Sequence, residues 1–155
     1  APWADFYNDS KVAQTAVAFG HFGGMMTAGG FALASDRATL RASAAPVSDR
    51  PRHLSELAGV HPIVVGALGV TAISGLLMFA ADLENLINLP AFWIKMGLVG
   101  LLVLNGWLML RAERSLRLGD PADAAGWRRL RSAALASLAL WLAVVLAGSV
   151  LPNAS

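Results

Sequence analysis

Long uncharged stretches are the feature of this sequence that most constrains its fold. Charged residues make up 14% of the 155-residue chain, against about 25% in soluble domains, and they gather in short segments. Between them lie four apolar segments, at about residues 12–35, 57–81, 90–110 and 132–151. A helix needs about 20 residues to cross a bilayer. The sequence therefore predicts an all-α fold, a single membrane domain (1–155) with four transmembrane helices.

Two other architectures do not fit these segments. Strands of a membrane barrel have about 10 residues and alternate between apolar and polar side chains, whereas the run GLVGLLVLNGWLML is longer and does not alternate. Helices of a soluble bundle carry a polar face, and none of the four segments has one. Pro62 and Pro90 are expected in the first turns of their helices, where the missing backbone donor costs nothing.

The arginines predict the orientation of the chain. Ten of the twelve Lys and Arg residues lie in segments 36–56 and 111–131, and none lies in the link between the second and third spans. Positive residues stay on the cytoplasmic side, so both segments are expected to be cytoplasmic loops, with both termini outside. The sequence thus predicts a multi-pass protein of a bacterial inner membrane. The arginines are interpreted as topology signals, those of segment 36–56 are expected to contact anionic lipid headgroups, and no nucleic-acid partner is expected.

Several kinds of chemistry are excluded or disfavoured. The chain has no cysteine, which excludes disulfides, thiolate metal sites, iron–sulfur clusters and covalently attached haem. It has no HExxH, P-loop or nucleophile-elbow motif, so whether it is an enzyme stays open. The acids expected near the membrane, Asp82 and Glu84, fall in the outer link, which argues against a proton-coupled transporter. Met25 and Met26 point about 100° apart on a helix and make a poor metal site with His21.

The first span is rich in glycine around His21, in the sequence GHFGGMMTAGG. Gly20 and Gly24 form a GxxxG pair, with Gly23 beside them, and small residues let helix backbones approach closely in lipid. These glycines therefore predict a helix–helix contact. The alternative is that they make room for a flat ligand such as a porphyrin or quinone. In the third span, Asn105 is a mid-membrane polar residue that is expected to hydrogen-bond to another helix.

Two ionisable residues, His21 and Lys95, lie inside spans that both run inwards from the outer side. They are roughly nine and five residues from the outer ends of their helices, a similar depth at which an ionisable group indicates a function by default. For His21 the alternatives are a neutral ring hydrogen-bonded to a neighbouring helix, a haem ligand or a proton-transfer group. For Lys95 they are a side chain that reaches the interface, or one that pairs with Asp82, Glu84 or an anionic ligand.

His61 opens the second span at the opposite, cytoplasmic end. It is about 20 Å from His21 along the helix axis, so a single haem cannot bind both rings. We expect His61 and the nearby His53 to lie at the membrane interface.

The stretch SGLLMFAADLENLINLPAFWIKMGLVGLLVLNG resembles a group of small bacterial membrane proteins. The group includes the copper-resistance protein D family and the helical protoporphyrinogen oxidase. Members similar to that oxidase have a histidine early in the first span and a lysine after an aromatic residue near the start of a later one. The matching positions are His21 and Lys95, the latter in FWIK, and the resemblance implies a porphyrin or b-type haem as their ligand. The aromatic motif that follows the oxidase's histidine is replaced here by glycines and methionines.

Two functions follow from these patterns. The first is a haem- or porphyrin-associated membrane protein with a redox role, in which His21 is the ligand or proton-transfer group and Lys95 pairs with a carboxylate. The second is a non-catalytic accessory or assembly subunit, in which the glycines and arginines contact a larger membrane complex or another copy of the chain.

Overall fold

A computed structural model describes residues 2–150, and among these the side chains of all but Glu84, Asn85 and Val150. The regular elements of this range are all helical, which confirms the all-α prediction. Leu151, where the fourth predicted span ends, lies outside the described residues. In chain order the elements are α1 (Pro2–Asp9), α2 (Lys11–Ala44), a 3-10 turn (Val47–Asp49), α3 (Arg50–Ala81), α4 (Leu83–Leu86), α5 (Pro90–Leu118) and α6 (Ala124–Val150).

Three helical stretches are long and apolar enough to cross a membrane: Val47–Ala81, Pro90–Leu118 and Ala124–Ser149. Their surfaces expose many large apolar side chains, which suits contact with lipid and is unusual in a water-soluble protein. These helices indicate a membrane-embedded protein. The remaining long helix, α2, has sufficient length, but its glycines, Gln14 and His21 make it less apolar than the other three.

The long helices continue well beyond the apolar segments. α2 and α3 extend through most of 36–56, and α5 and α6 through most of 111–131, so that only residues 45–49 and 119–123 connect them. These ranges are therefore mainly helical rather than loops. The physical reason is that Arg, Ala and Leu, which dominate them, are good helix formers. The arginines of both ranges, apart from the half-buried Arg50, lie on exposed faces.

The expectation for Pro62 is wrong. α3 begins at Arg50, so Pro51 occupies its first turn and Pro62 lies in the helix interior. A proline at that position leaves the carbonyl of Ala58 without its usual helical donor, and membrane helices tolerate this where neighbouring groups compensate. Pro90 does lie in the first turn of α5.

The four long helices pack side by side in the order α3, α2, α6, α5. α2 packs along α3, and α5 along α6; α2 and α6 join the two pairs, whereas only a few residues of α3 reach α5. One apolar cluster in the interior contains Ala28, Leu102, Trp141 and Val144. The other cluster lies at the end of the molecule where α2 and α5 end and α3 and α6 begin. We call this end of the molecule the arginine-rich end. This arginine-end core consists of Leu54, Leu57, Met109, Leu116, Trp127, Leu130 and Ala134.

The short helix α1 packs against α2 and α3 at the opposite end. Nε1 of Trp3 donates to the carbonyl of Leu77 at 2.9 Å. The hydroxyl of Ser10 caps the start of α2 by accepting from the backbone amide of Ala13 at 3.2 Å. These bonds hold α1 over the end of the α2–α3 pair, one helical turn beyond Ser74.

Candidate functional sites

His21 points from α2 towards α3. Its Nδ1 lies 3.0 Å from the carbonyl oxygen of Thr71 and 3.3 Å from the hydroxyl of Ser74. A carbonyl oxygen can only accept, so Nδ1 carries the proton of the neutral ring and Nε2 keeps its lone pair. The Ser74 hydroxyl itself donates to the carbonyl of Val70 at 2.7 Å. These contacts fix both the tautomer and the orientation of the ring.

Gly24 allows α2 and α3 to approach each other beside this ring. A Cβ atom at Gly24 would lie 2.5 Å from Oγ1 of Thr71 and 2.8 Å from the carbonyl oxygen of Ala67. Such distances require the helices to shift apart, so the close contact depends on glycine. On α3, a Cβ atom at Gly75 would lie 3.2 Å from Cε1 of His21, so this glycine makes room for the ring.

The other two glycines predicted to pack take different positions. A Cβ atom at Gly20 would lie 3.9 Å from the side chains of Val70 and Ser74, which is ordinary contact. Apart from its chain neighbours and the backbone of α2 itself, no described residue lies within 4 Å of a Cβ position at Gly23. The three glycines are thus not equivalent: Gly24 is required by the contact, Gly20 borders it, and Gly23 is open.

Lys95 of α5 is half-buried. It packs against α6, where a Cβ atom at Gly148 would lie 3.9 Å from its Nζ, and its charge is within electrostatic range of His21. The structure therefore brings His21 and Lys95 to the same end of the molecule. Glu84, one of the partners predicted for Lys95, lies outside the described side chains.

A shallow apolar groove runs along the seam between α2 and α3 next to His21. Ser74, which contacts the ring, also lines this groove, as does Gly20, the residue before His21 in the chain. Its lining consists of Ala16, Val17, Gly20, Val70, Ile73, Ser74 and Leu77.

Asn105 joins α5 to α6. Its Nδ2 donates to the carbonyl of Ala133 at 2.9 Å, and its side chain lies on the buried face of α5 with Leu102 and Met109. The amide therefore makes a hydrogen bond between helices in the apolar part of the protein.

A second group of ionisable residues lies towards the arginine-rich end, between α3 and α5. Glu113 is 2% exposed, and its Oε2 lies 3.2 Å from Nδ1 of His61. Its Oε1 lies 3.7 Å from Nε of Arg117 and has no hydrogen-bond partner among residues 2–150. His61 is thus paired with a buried acid.

Asp36 and His53 are further buried ionisable residues at this end. Asp36 is 1% exposed; it hydrogen-bonds to Ser137, while its Oδ2 has no partner in the described part of the chain. Burial raises the pKa of this carboxyl from 3.8 to about 6, and the Ser137 bond partly offsets the increase. Nε2 of His53 lies 3.0 Å from Oγ1 of Thr39.

Neither buried acid was predicted, because Asp36 and Glu113 fall in ranges that were expected to be loops. The expectation that the acids near the membrane lie only in the outer link is therefore wrong. The sequence does contain a signal for Glu113, which continues the three- and four-residue spacing of the buried positions of α5. These positions are Leu102, Asn105, Met109, Glu113 and Leu116.

Compared with known proteins, this chain matches no protein-family model, no curated sequence and no solved structure. The resemblance to the copper-resistance protein D group stays a prediction. Its function is therefore inferred from the geometry of the two ionisable sites, one around His21 and the other around Glu113.

Proposed function

We propose that this chain is a multi-pass protein of a bacterial cytoplasmic membrane, a bundle of four spans with both termini outside. Three observations support a fourth span within α2: its length, the absence of charged residues between 12 and 35, and the exposed Val12, Phe19 and Met26 on its surface, which lipid would cover. The orientation rests on the arginines, which all lie at one end and mark the cytoplasmic side.

We further propose that the membrane domain binds haem b or a related porphyrin through Nε2 of His21. The observation that carries this proposal is the contact between Nδ1 and the Thr71 carbonyl. A histidine that binds a metal donates its other ring N–H to such a group, which fixes the tautomer and raises the basicity of the ligating nitrogen. Haem would supply one-electron redox chemistry. The apolar groove beside the ring offers the kind of hydrophobic surface that a flat ligand covers.

Lys95 completes this proposed site. Its ammonium lies within electrostatic range of the His21 ring and is half-buried, so it is placed to bind a carboxylate rather than to extend into water. A charge-assisted hydrogen bond to a propionate is stronger than a neutral one. His21 would thus hold the iron and Lys95 would hold the edge of the ring.

Absorption spectra of the purified protein, expressed with ample haem precursor, test the proposal. We expect a Soret band that disappears in His21→Ala and persists in the matched control His61→Asn. Lys95→Met should weaken haem retention by about tenfold, as loss of an outer contact does. A colourless wild-type preparation would refute the haem proposal.

A second function, that of a non-catalytic accessory or assembly subunit, is favoured by the outward face of α2. Phe19, Phe22 and Met26 are each more than half exposed. No described atom of another helix lies within 4 Å of a Cβ position at Gly23 or Gly30, so a further helix could approach closely there. This function predicts co-purification with a partner, or a homo-oligomer, in mild detergent. A monodisperse single-chain particle would contradict it.

A further inference from the structure

The group formed by His61, Glu113 and Arg117 has no part in the proposed haem site, because His61 is about 20 Å from His21 along the helix axis. We propose that His61 and Glu113 form a proton-binding site, which takes up one proton reversibly from the solution at the arginine-rich end. The site is independent of haem binding.

The contact between the two side chains is a hydrogen bond, which the Nδ1–H of a neutral imidazole can donate to the carboxylate. Nδ1 of His61 and Oε2 of Glu113 are 3.2 Å apart, a distance at which one of them donates to the other. Glu113 is 2% exposed, and a carboxylate so deeply buried is costly unless it is paired or protonated. Its Oε1 has no hydrogen-bond partner among the described residues. This oxygen can therefore accept a proton that is taken up from the solution.

Charge balance limits the site to one exchangeable proton. Without that proton, His61 is neutral and the Glu113 carboxylate is balanced by the Arg117 guanidinium 3.7 Å away. The added proton forms an N–H bond on the imidazole or an O–H bond on the carboxyl, and in either case the group gains one positive charge. A second proton would place an imidazolium and a guanidinium beside an uncharged acid, which like-charge repulsion disfavours.

The surroundings of Glu113 isolate this equilibrium from other charges. Within the described residues, the charged or titratable groups recorded against it are His61 from α3 and Arg117 from its own helix. α6 contributes the apolar Leu130 and Ala134 to the adjoining arginine-end core. The side chains of Arg117 and His61 are 47% and 20% exposed, so the group reaches the solution from which the proton comes.

The location of the site gives proton binding a structural effect. Only a few residues of α3 reach α5, and the His61–Glu113 bond is an ionisable contact between these two helices. Gain or loss of the proton changes the charge of that contact. The site therefore couples the protonation state at the arginine-rich end to the association of α3 with α5.

Infrared spectroscopy of the full chain in lipid nanodiscs can detect this proton directly. A protonated carboxyl has its own C=O stretching band, and the intensity of this band is followed as pH is varied. We expect Glu113→Gln to remove one titrating carboxyl band. Glu56→Gln is the matched control, since Glu56 is an exposed acid near the same end that pairs with Arg52. This control should keep the band.

Two further variants keep the test decisive even where Glu113→Gln does not fold. His61→Asn removes the imidazole, and Arg117→Gln removes the guanidinium from a half-exposed position. Arg117→Gln takes a positive charge away from the carboxylate, and His61→Asn takes away the ring N–H that donates to it, so in both variants the midpoint of the carboxyl band should rise by about one pH unit or more. A folded Glu113→Gln protein that keeps every titrating carboxyl band of the wild type, or a midpoint that neither His61→Asn nor Arg117→Gln changes, would overturn the proposal.

Discussion

Replacement of Asp36 by asparagine tests how burial at the arginine-rich end affects stability. The pKa of this carboxyl rises from 3.8 to about 6 on folding, so the folded protein binds the proton more tightly than the unfolded chain. Below about pH 4 both states are protonated and the carboxyl causes no loss of stability. The loss develops as pH rises from about 4 to about 6, and it is complete above that range.

The rise in pKa corresponds to about 3 kcal/mol of unfolding free energy, at about 1.36 kcal/mol per pH unit. Asparagine has nearly the same shape without the charge, and it can keep the bond to Ser137. Its amide group would take the place of Oδ2, which lacks a partner, and such a buried donor costs about 1–3 kcal/mol at any pH. The absolute change at one pH therefore mixes two effects, whereas the change between two pH values reports the charge alone.

The measurement is the unfolding free energy in mixed micelles, followed by circular dichroism at about pH 4 and about pH 8. Relative to wild type, Asp36→Asn should be more stable at the higher pH than at the lower one by about 3 kcal/mol. Asp49→Asn is the control, because it makes the same chemical change at an exposed position in the turn before α3. If Asp36→Asn differs from wild type by the same amount at both pH values, the reasoning from burial is refuted.

Two packing predictions can be checked by the same unfolding measurement. Gly24→Ala should lower the unfolding free energy by about 1–3 kcal/mol, because its Cβ would clash with the backbone of α3. Gly23→Ala should be neutral or stabilising by up to about 1 kcal/mol, and equal losses at both positions would contradict the geometry. Asn105→Leu removes the bond to Ala133 and should cost about 1 kcal/mol; an unchanged stability would show that this bond contributes nothing.

The apolar segments could be predicted from the sequence because the bilayer requires a minimum helix length and an absence of charge. The helical continuation of these segments was missed, since arginine-rich stretches such as 111–118 look like loops until the spacing of Glu113 and Leu116 is considered. The placement of His21 and Lys95 at the same end of the molecule could also be predicted, but the contact of His21 with Thr71 depends on the register of α2 against α3, which the contact at Gly24 determines. A single sequence does not specify that register.

The arginine-end core has a consequence for the way in which the protein fits its bilayer. Leu54, Leu116 and Trp127 hold the helix ends together beyond the apolar segments, so the arginines are carried on rigid helices and not on loops that can bend. In the proposed membrane orientation, their height above the apolar band is therefore fixed. Helix tilt or deformation of the lipid must absorb any difference in thickness, at a cost of fractions of a kcal/mol per Å. We expect bilayer thickness to determine which membranes hold this protein most favourably.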